Sequence, residues 1–345
     1  MILVLTILAV LFLAFSNGAN DNFKGVATLL GSRTTSYKLA LFWASATTFA
    51  GSVTAFFFAE KLLSSFSGKG LISNEVISHS AFPLSIALTA AMTVFLAAKY
   101  GFPISTTHAL TGSLIGVGLV ASATGVNYSK LATTFFAPML ISPILSILSV
   151  MLIYPIFKLV RVRLNIKRES CLCVGGKIIA VAPLGLPTSK GIGTLSFAID
   201  TFPEVSIGVN VICEERYHGN FLGVNAKTAL DSLHFLSSGA VSFARGLNDT
   251  PKIAAILLIG TVIDPLILMA LIAIFMMIGG LVYSKKVADT MSYEITSMND
   301  GQGFTANFIT SIIVIFASKF GLPVSTTHVS CGALFGIGAV TKKAH

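Results

Sequence analysis

Gly101-Phe102-Pro103-Ile104-Ser105-Thr106-Thr107-His108 returns near the end of the chain as Gly321-Leu322-Pro323-Val324-Ser325-Thr326-Thr327-His328. Continued to Gly118 and Gly338, the two stretches are identical at 10 of 18 positions. A second pair precedes them in the same order: Gly18-Ala19-Asn20-Asp21-Asn22-Phe23-Lys24 aligns with Gly246-Leu247-Asn248-Asp249-Thr250-Pro251-Lys252, and the Leu29-Leu30 and Leu257-Leu258 pairs close the match. Chance does not produce two ordered matches, so the chain is internally duplicated. In each Gly-x-Pro-x-Ser-Thr-Thr-His copy, Pro ends one helix and Ser/Thr, strong N-cap residues, start the next. Irregular backbone inside an apolar segment survives only where protein packs around it or water reaches it.

The composition sets these breaks in a bilayer. The chain has 345 residues, of which 54% are hydrophobic and 11% charged, and its mean hydropathy is +0.85. Those values exclude a large soluble enzyme, a disordered chain and a secreted disulfide scaffold. The net charge of +9 does not indicate nucleic acid, because the basic residues stand singly between apolar runs or cluster just past them, as do Lys158, Arg161, Arg163, Lys167 and Arg168. That cluster places the middle segment in the cytoplasm. Met1–Phe15 lacks a basic leader and a small-residue cleavage site and is read as part of the mature fold.

Apolar segments near 1–16, 38–59, 84–99, 104–123, 133–157, 236–260, 262–283, 304–320 and 322–340 are candidate spans. The expected fold is an all-α polytopic membrane protein of two inverted repeats with discontinuous, re-entrant helices. Its divisions are a first membrane repeat at 1–157, a partly β cytoplasmic insertion at 158–235 and a second membrane repeat at 236–345. The β reading rests on the runs Lys177–Val181 and Val205–Val209. Lys342 and Lys343 at the end weigh against both termini lying outside, as odd numbers of crossings per half require. Cys171, Cys173 and Cys213 read as reduced cytosolic thiols; with His218 they match no common zinc spacing.

Carboxylates among apolar residues need a partner or a purpose, since insertion costs roughly 2.5–3.5 kcal/mol each. Asp21 and Asp249 are equivalent by the repeat, and each follows an Asn, Asn20 or Asn248. Carboxylate and amide oxygens, with carbonyls freed by an expected helix break there, form a hard-oxygen site for Na⁺ or a proton carrier; helix capping is the alternative role. Asp264 is not duplicated and reads as a cap or turn. Ser105, Thr106 and Thr107, with Ser325, Thr326 and Thr327, offer hydroxyls and helix-start amides to a tetrahedral oxyanion, and Asn22 and Thr250, next to the aspartates, are counted with them as phosphate-binding candidates. Lys24 and Lys252 balance the aspartates, meet the anion, or snorkel as structural residues. His108 and His328 read as packed, hydrogen-bonded histidines before proton relays, and Gly112, Gly116, Gly118, Gly332, Gly336 and Gly338 as packing residues.

At these residues the sequence resembles the inorganic phosphate transporter (PiT) family of phosphate permeases and sodium–phosphate symporters. The likeness spans both membrane halves and four motifs but not 158–235, and Leu247, Thr250 and Pro251 depart from the first half's Ala19, Asn22 and Phe23. The resemblance implies a multi-pass protein of the cell membrane that carries inorganic phosphate with Na⁺ or H⁺, the aspartates serving as ion ligands and the Ser-Thr-Thr triplets holding phosphate. No other cofactor is implied, and a homodimer is compatible with it. Neutral Asn and Thr oxygens beside each Asp favour Na⁺. Sulfate stays open as cargo, although a carboxylate accepts a hydrogen bond from HPO₄²⁻ and not from sulfate. An intramembrane aspartyl protease, a Ser/His hydrolase and a passive anion channel each explain only part of the duplicated set.

Overall fold

A computed structural model of the chain describes all residues except 59, 123–124, 168–169, 176–177, 182–195, 200–203, 210–221, 260–262, 296–297 and 343–345. Lys343, Cys213 and His218 therefore lie outside the described residues. The chain forms two compact units, one of Met1–Pro155 with His234–His345 and one of Ile156–Leu233.

The first unit is helical. Its long helices are α1 (Ile2–Asp21), α2 (Tyr37–Phe58), α3 (Phe82–Tyr100), α4 (Thr106–Ala121), α5 (Ala137–Arg163, which runs on past the unit), α6 (Ala226–Leu258, which begins before it), α7 (Pro265–Tyr283), α8 (Asp300–Phe320) and α9 (Thr326–Thr341). By length and composition, α1, α2, α3, α7, α8 and the Tyr128–Arg163 stretch that contains α5 can each cross a membrane. The 33-residue α6 is not among them, because its apolar half carries Arg245, Asp249 and Lys252. The architecture is that of an all-α polytopic membrane protein.

The element order repeats as the sequence does. In both halves the helix before the Pro motif ends on a left-handed glycine, Gly101 at φ 83° and Gly321 at φ 76°. Phe102 and Leu322 then donate back to Ala97 and Ala317, each at 2.9 Å, closing a Schellman turn. Ser105 and Ser325 follow in extended backbone and their hydroxyls accept from the amides of His108 and His328 at 3.2 and 3.1 Å. The resulting α4 and α9 have 16 residues each, about 24 Å of helix against a hydrocarbon core of ~30 Å. Each packs on the helix before it, α4 on α3 and α9 on α8, as a helical hairpin.

Glycine contacts interlock the two halves. Gly18 of α1 meets Met276 O of α7, and Gly279 of α7 meets Phe15 O. At the same spacing in the other half, Gly246 of α6 meets Thr48 O of α2, and Gly51 of α2 meets Phe243 O. An added Cβ would sit 1.8, 1.9, 2.2 and 2.0 Å from those carbonyl oxygens. The helix carrying each Asn-Asp pair is thus clamped by the second helix of the opposite half.

Three expectations are corrected. In the first half the helix runs through Asn20–Asp21 and breaks just after them, at Asn22–Val26, since the amide of Asn22 still reaches Gly18 O at 3.0 Å. In the second half α6 runs unbroken through Asn248–Asp249, with Pro251 inside it; tertiary contacts on both faces hold the helix despite the lost amide donor. Gly332 and Gly336 do allow close packing, against Pro143 and Ile147 of α5, but Gly112 and Gly116 have nothing within 4 Å of an added Cβ. Asp264 caps α7, accepting from Leu266 and Ile267 at 2.8 and 3.1 Å.

In the second unit, β1 (Ser170–Gly175), β2 (Ile178–Val181), β3 (Ser196–Ile199), β4 (Glu204–Val209) and β5 (Leu222–Asn225) form two antiparallel sheets. β1 lies between β4 and β5, with Ser170 opposite Val209, and β2 pairs β3 with Ile178 opposite Ile199. Among the described residues no group of three or more His, Cys, Asp or Glu is placed to hold a metal.

The clamp is testable by thermal unfolding in detergent. Gly18→Ala and Gly246→Ala are each expected to cost about 1–3 kcal/mol or more by overpacking against a backbone oxygen, while Gly112→Ala leaves the midpoint within a degree or two. Equal midpoints for all three would remove the clamp from the account.

Candidate functional site

The end of α1 and the middle of α6 bring five charged side chains together in the protein interior: Asp21, Lys24, Arg245, Asp249 and Lys252 are each no more than 5% exposed. Asp21 and Lys24 are a salt bridge within one turn, and Lys252 pairs with Asp249 at 3.4 Å in the same way. Each carboxylate is therefore offset first by its own lysine. The two carboxylates also share one donor, since Asn17 Nδ2 lies 3.0 Å from Asp21 Oδ2 and 3.3 Å from Asp249 Oδ2.

The lysines cross between the halves. Lys24 Nζ donates to Asn20 Oδ1 at 2.7 Å, to Ile104 O at 2.6 Å and to Thr327 Oγ1 at 2.8 Å. Lys252 Nζ donates to Thr107 Oγ1 at 2.7 Å and to Val324 O at 2.9 Å. Each ammonium holds the Pro-motif carbonyl of its own half and a hydroxyl of the other. The same two threonines complete the exchange: Thr107 donates to Val324 O at 3.1 Å and Thr327 to Ile104 O at 3.0 Å. The two helix starts consequently face one another, and the His108 and His328 rings meet edge to face with centroids 4.5 Å apart.

The asparagines pin the Pro-motif loops to these carboxylates. Asn20 donates to Phe102 O at 2.8 Å and accepts from Ile104 N at 3.2 Å. Asn248 donates to Val324 O at 3.2 Å and to Asp249 at 3.0 Å, and accepts from Ser318 at 3.2 Å. Thr106 donates to Asp21 Oδ2 at 2.9 Å and accepts from Asn17 at 2.9 Å, placing its hydroxyl among the charges. Ser105 and Ser325 spend their oxygens on capping, Ser105 also meeting His108 Nδ1 at 2.9 Å. Thr326 is buried beside them. Thr250 turns away to Ser52 Oγ at 2.7 Å, whereas Asn22 donates to Ser45 Oγ at 2.9 Å and accepts from Arg245 with its Oδ1 at 2.9 Å.

Two residues escaped the sequence reading. Asn17 is the amide that joins both carboxylates to Thr106. Arg245 stands one helical turn before Asp249, as Asn17 stands before Asp21, and donates to Asn17 Oδ1 at 3.2 Å, Asn22 Oδ1 at 2.9 Å and Thr48 Oγ1 at 2.8 Å. The signal was present: a guanidinium in an apolar run carries the same cost that drew notice to the aspartates.

A cavity of about 1360 Å³ runs beside this cluster between α3 and α4. Its wall includes Ser105, His108 and His328 at the helix starts, Thr89 and Thr93 along α3, and Glu75. Neither histidine is fully buried, and His108 is exposed; the expected packing is confined to the contact of the two rings, and the expected hydrogen bond is that of His108 Nδ1 with Ser105. Gly112 and Gly116 line the cavity rather than a helix contact.

The arrangement can hold a monovalent cation on carboxylate, amide and carbonyl oxygens and an oxyanion on hydroxyls and cations. Comparison with known proteins places the chain in a family. The sequence profile of the phosphate transporter family matches residues 17–345. A candidate phosphate permease of Pyrococcus horikoshii is 28% identical over 97% of this chain and 88% of its own length. The chloroplastic inorganic phosphate transporter 2-1 of Arabidopsis thaliana is 26% identical over 96% of this chain and 65% of its own. A solved structure titled as the sodium-dependent phosphate transporter superposes with a TM-score of 0.71 at 23% identity, covering 98% of this chain and 90% of that one. Membership in a transporter family sets aside the protease and hydrolase readings, and this chain belongs to the phosphate transporter family.

Proposed function

We propose that the chain carries inorganic phosphate across the cell membrane by symport with Na⁺, its two halves inverted relative to one another and its β segment cytoplasmic. The observation that carries this reading is the crosswise pairing of Lys24 with Thr327 and of Lys252 with Thr107 around the two aspartates. It makes each cation-binding oxygen set and each anion-binding helix start part of one network.

The oxygens that now surround the Lys24 ammonium, those of Asn20, Asp21, Ile104 and Thr327, are the kind that Na⁺ takes. An ammonium and Na⁺ cannot share them, so Na⁺ entry releases the lysine from its carboxylate. A freed ammonium and the Thr107 and Thr327 hydroxyls then turn to phosphate between the starts of α4 and α9, where the helix dipoles also favour an anion. Phosphate must replace the bonds that now join the two helix starts, so binding and the relative movement of the hairpins are one event. Ser105 and Ser325 keep the helix starts formed, Thr106 ties the anion side to Asp21, and the cavity beside α4 supplies access. Thr250 and Asn22 support the helices through α2 contacts. A carboxylate facing the anion accepts the proton of HPO₄²⁻, which favours phosphate over sulfate.

Uptake of radiolabelled phosphate into proteoliposomes tests the coupling. An inward Na⁺ gradient is expected to drive accumulation, and replacement by choline to abolish it even with an imposed pH gradient. Full uptake in choline with the pH gradient would assign protons instead. Among variants, Asp21→Asn and Asp249→Asn are expected to shift the Na⁺ dependence, whereas Thr106→Ala, Thr107→Val and Thr327→Val raise half-saturating phosphate about tenfold, as the loss of one charge-assisted hydrogen bond predicts. Wild-type phosphate dependence in all three threonine variants would reject the anion assignment.

A further inference from the structure

Each Asp–Lys pair, Asp21 with Lys24 and Asp249 with Lys252, is neutral as a pair wherever its proton rests. Arg245 is the charge left over, and a guanidinium does not deprotonate in proteins. It is 1% exposed and heads the largest fully buried side chains. Its three hydrogen-bond acceptors, Asn17, Asn22 and Thr48, are all uncharged, and its Nε has no partner. Among the described residues it forms no salt bridge. The fold does not demand a cation there, because the repeat places uncharged Asn17 at the equivalent position of α1.

A buried, permanently charged group with no carboxylate in direct contact is costly in a membrane and marks a pathway or a ligand. Its surroundings say which. Through Asn17, the guanidinium is one side chain from Thr106 and from both carboxylates. A tetrahedral oxyanion received by the Thr106 hydroxyl needs only the Asn17 amide to turn aside for its next oxygen to meet the guanidinium fork. On the reading of phosphate transport above, we propose that Arg245 is itself a ligand of the transported phosphate and supplies the fixed charge that the anion neutralises. Planar donors suit phosphate oxygens two at a time. A single anion site also explains why only this half carries Arg where the other carries Asn17.

The test uses the full chain in proteoliposomes, with half-saturating phosphate and half-saturating Na⁺ measured separately for Arg245→Lys and Arg245→Gln. The expected result is graded: phosphate weakens about threefold with Lys, which keeps the charge and loses the fork, and about thirtyfold or more with Gln, which loses both, while Na⁺ dependence moves less than twofold in either. Phosphate should also raise the unfolding temperature of the wild type more than that of either variant. Unchanged phosphate dependence in the Lys variant, or equal shifts for phosphate and Na⁺, would make Arg245 a structural cross-link and overturn the proposal. Should Arg245→Gln not fold, Arg245→Lys alone decides by the same criterion. Failure of the wild type to take up phosphate would instead remove the transport reading itself, so the two failures are distinguishable.

Discussion

Burying charge in a protein surrounded by hydrocarbon is the constraint on which this fold depends. An isolated carboxylate or ammonium at that depth is too costly to keep, and breaking one buried pair by removing a partner costs about 3–5 kcal/mol. The chain answers by placing each aspartate one turn from a lysine and by dividing the remaining donors of that lysine between the Pro-motif carbonyl of its own half and a hydroxyl of the other. The asparagines Asn17, Asn20 and Asn248 satisfy what is left. Both lysines and all three asparagines bond to another helix or to a Pro-motif loop, so the charges that are hardest to bury are also what hold the two Pro-motif loops in register.

The glycine clamps make this possible. Where Gly18 and Gly279, and Gly51 and Gly246, let backbone meet backbone, α1 seats on α7 and α6 on α2, and Asn17 of α1 reaches both carboxylates. The duplication does the rest, since the same short contact built twice with the halves exchanged gives a near-symmetric site from two unequal sequences. The departures from symmetry are where chemistry differs: Asn17 against Arg245, a broken helix after Asp21 against an unbroken one through Asp249, and an open face at Gly112 against a covered one at Gly332.

Much of this was legible in the sequence for a physical reason. Proline, glycine and clustered hydroxyls have few uses inside an apolar segment, so the Gly-x-Pro-x-Ser-Thr-Thr-His pair announced both helix starts, and isolated aspartates announced the site. What was not legible depends on tertiary contact. Nothing local distinguishes the Asn-Asp pair that ends α1 from the one that α6 carries through, because packing on α2 and not propensity keeps α6 helical past Pro251. The cross-half reach of the lysines was equally hidden, since sequence spacing reports partners three or four residues away and none on another helix. Arg245 was readable in principle by the rule applied to the aspartates, and Thr250 was misleading because its neighbours on α2 lie far off in sequence.

The central claim is that the starts of α4 and α9 hold an oxyanion between them while the neighbouring aspartates hold its cation. A map of the protein reconstituted with phosphate and Na⁺ tests this most directly. The account predicts tetrahedral density within hydrogen-bond reach of both Thr107 and Thr327, with Lys24 and Lys252 turned from their carboxylates toward it. Density seated elsewhere, such as beside Glu75 in the cavity, with the lysine–threonine bonds intact, would contradict it.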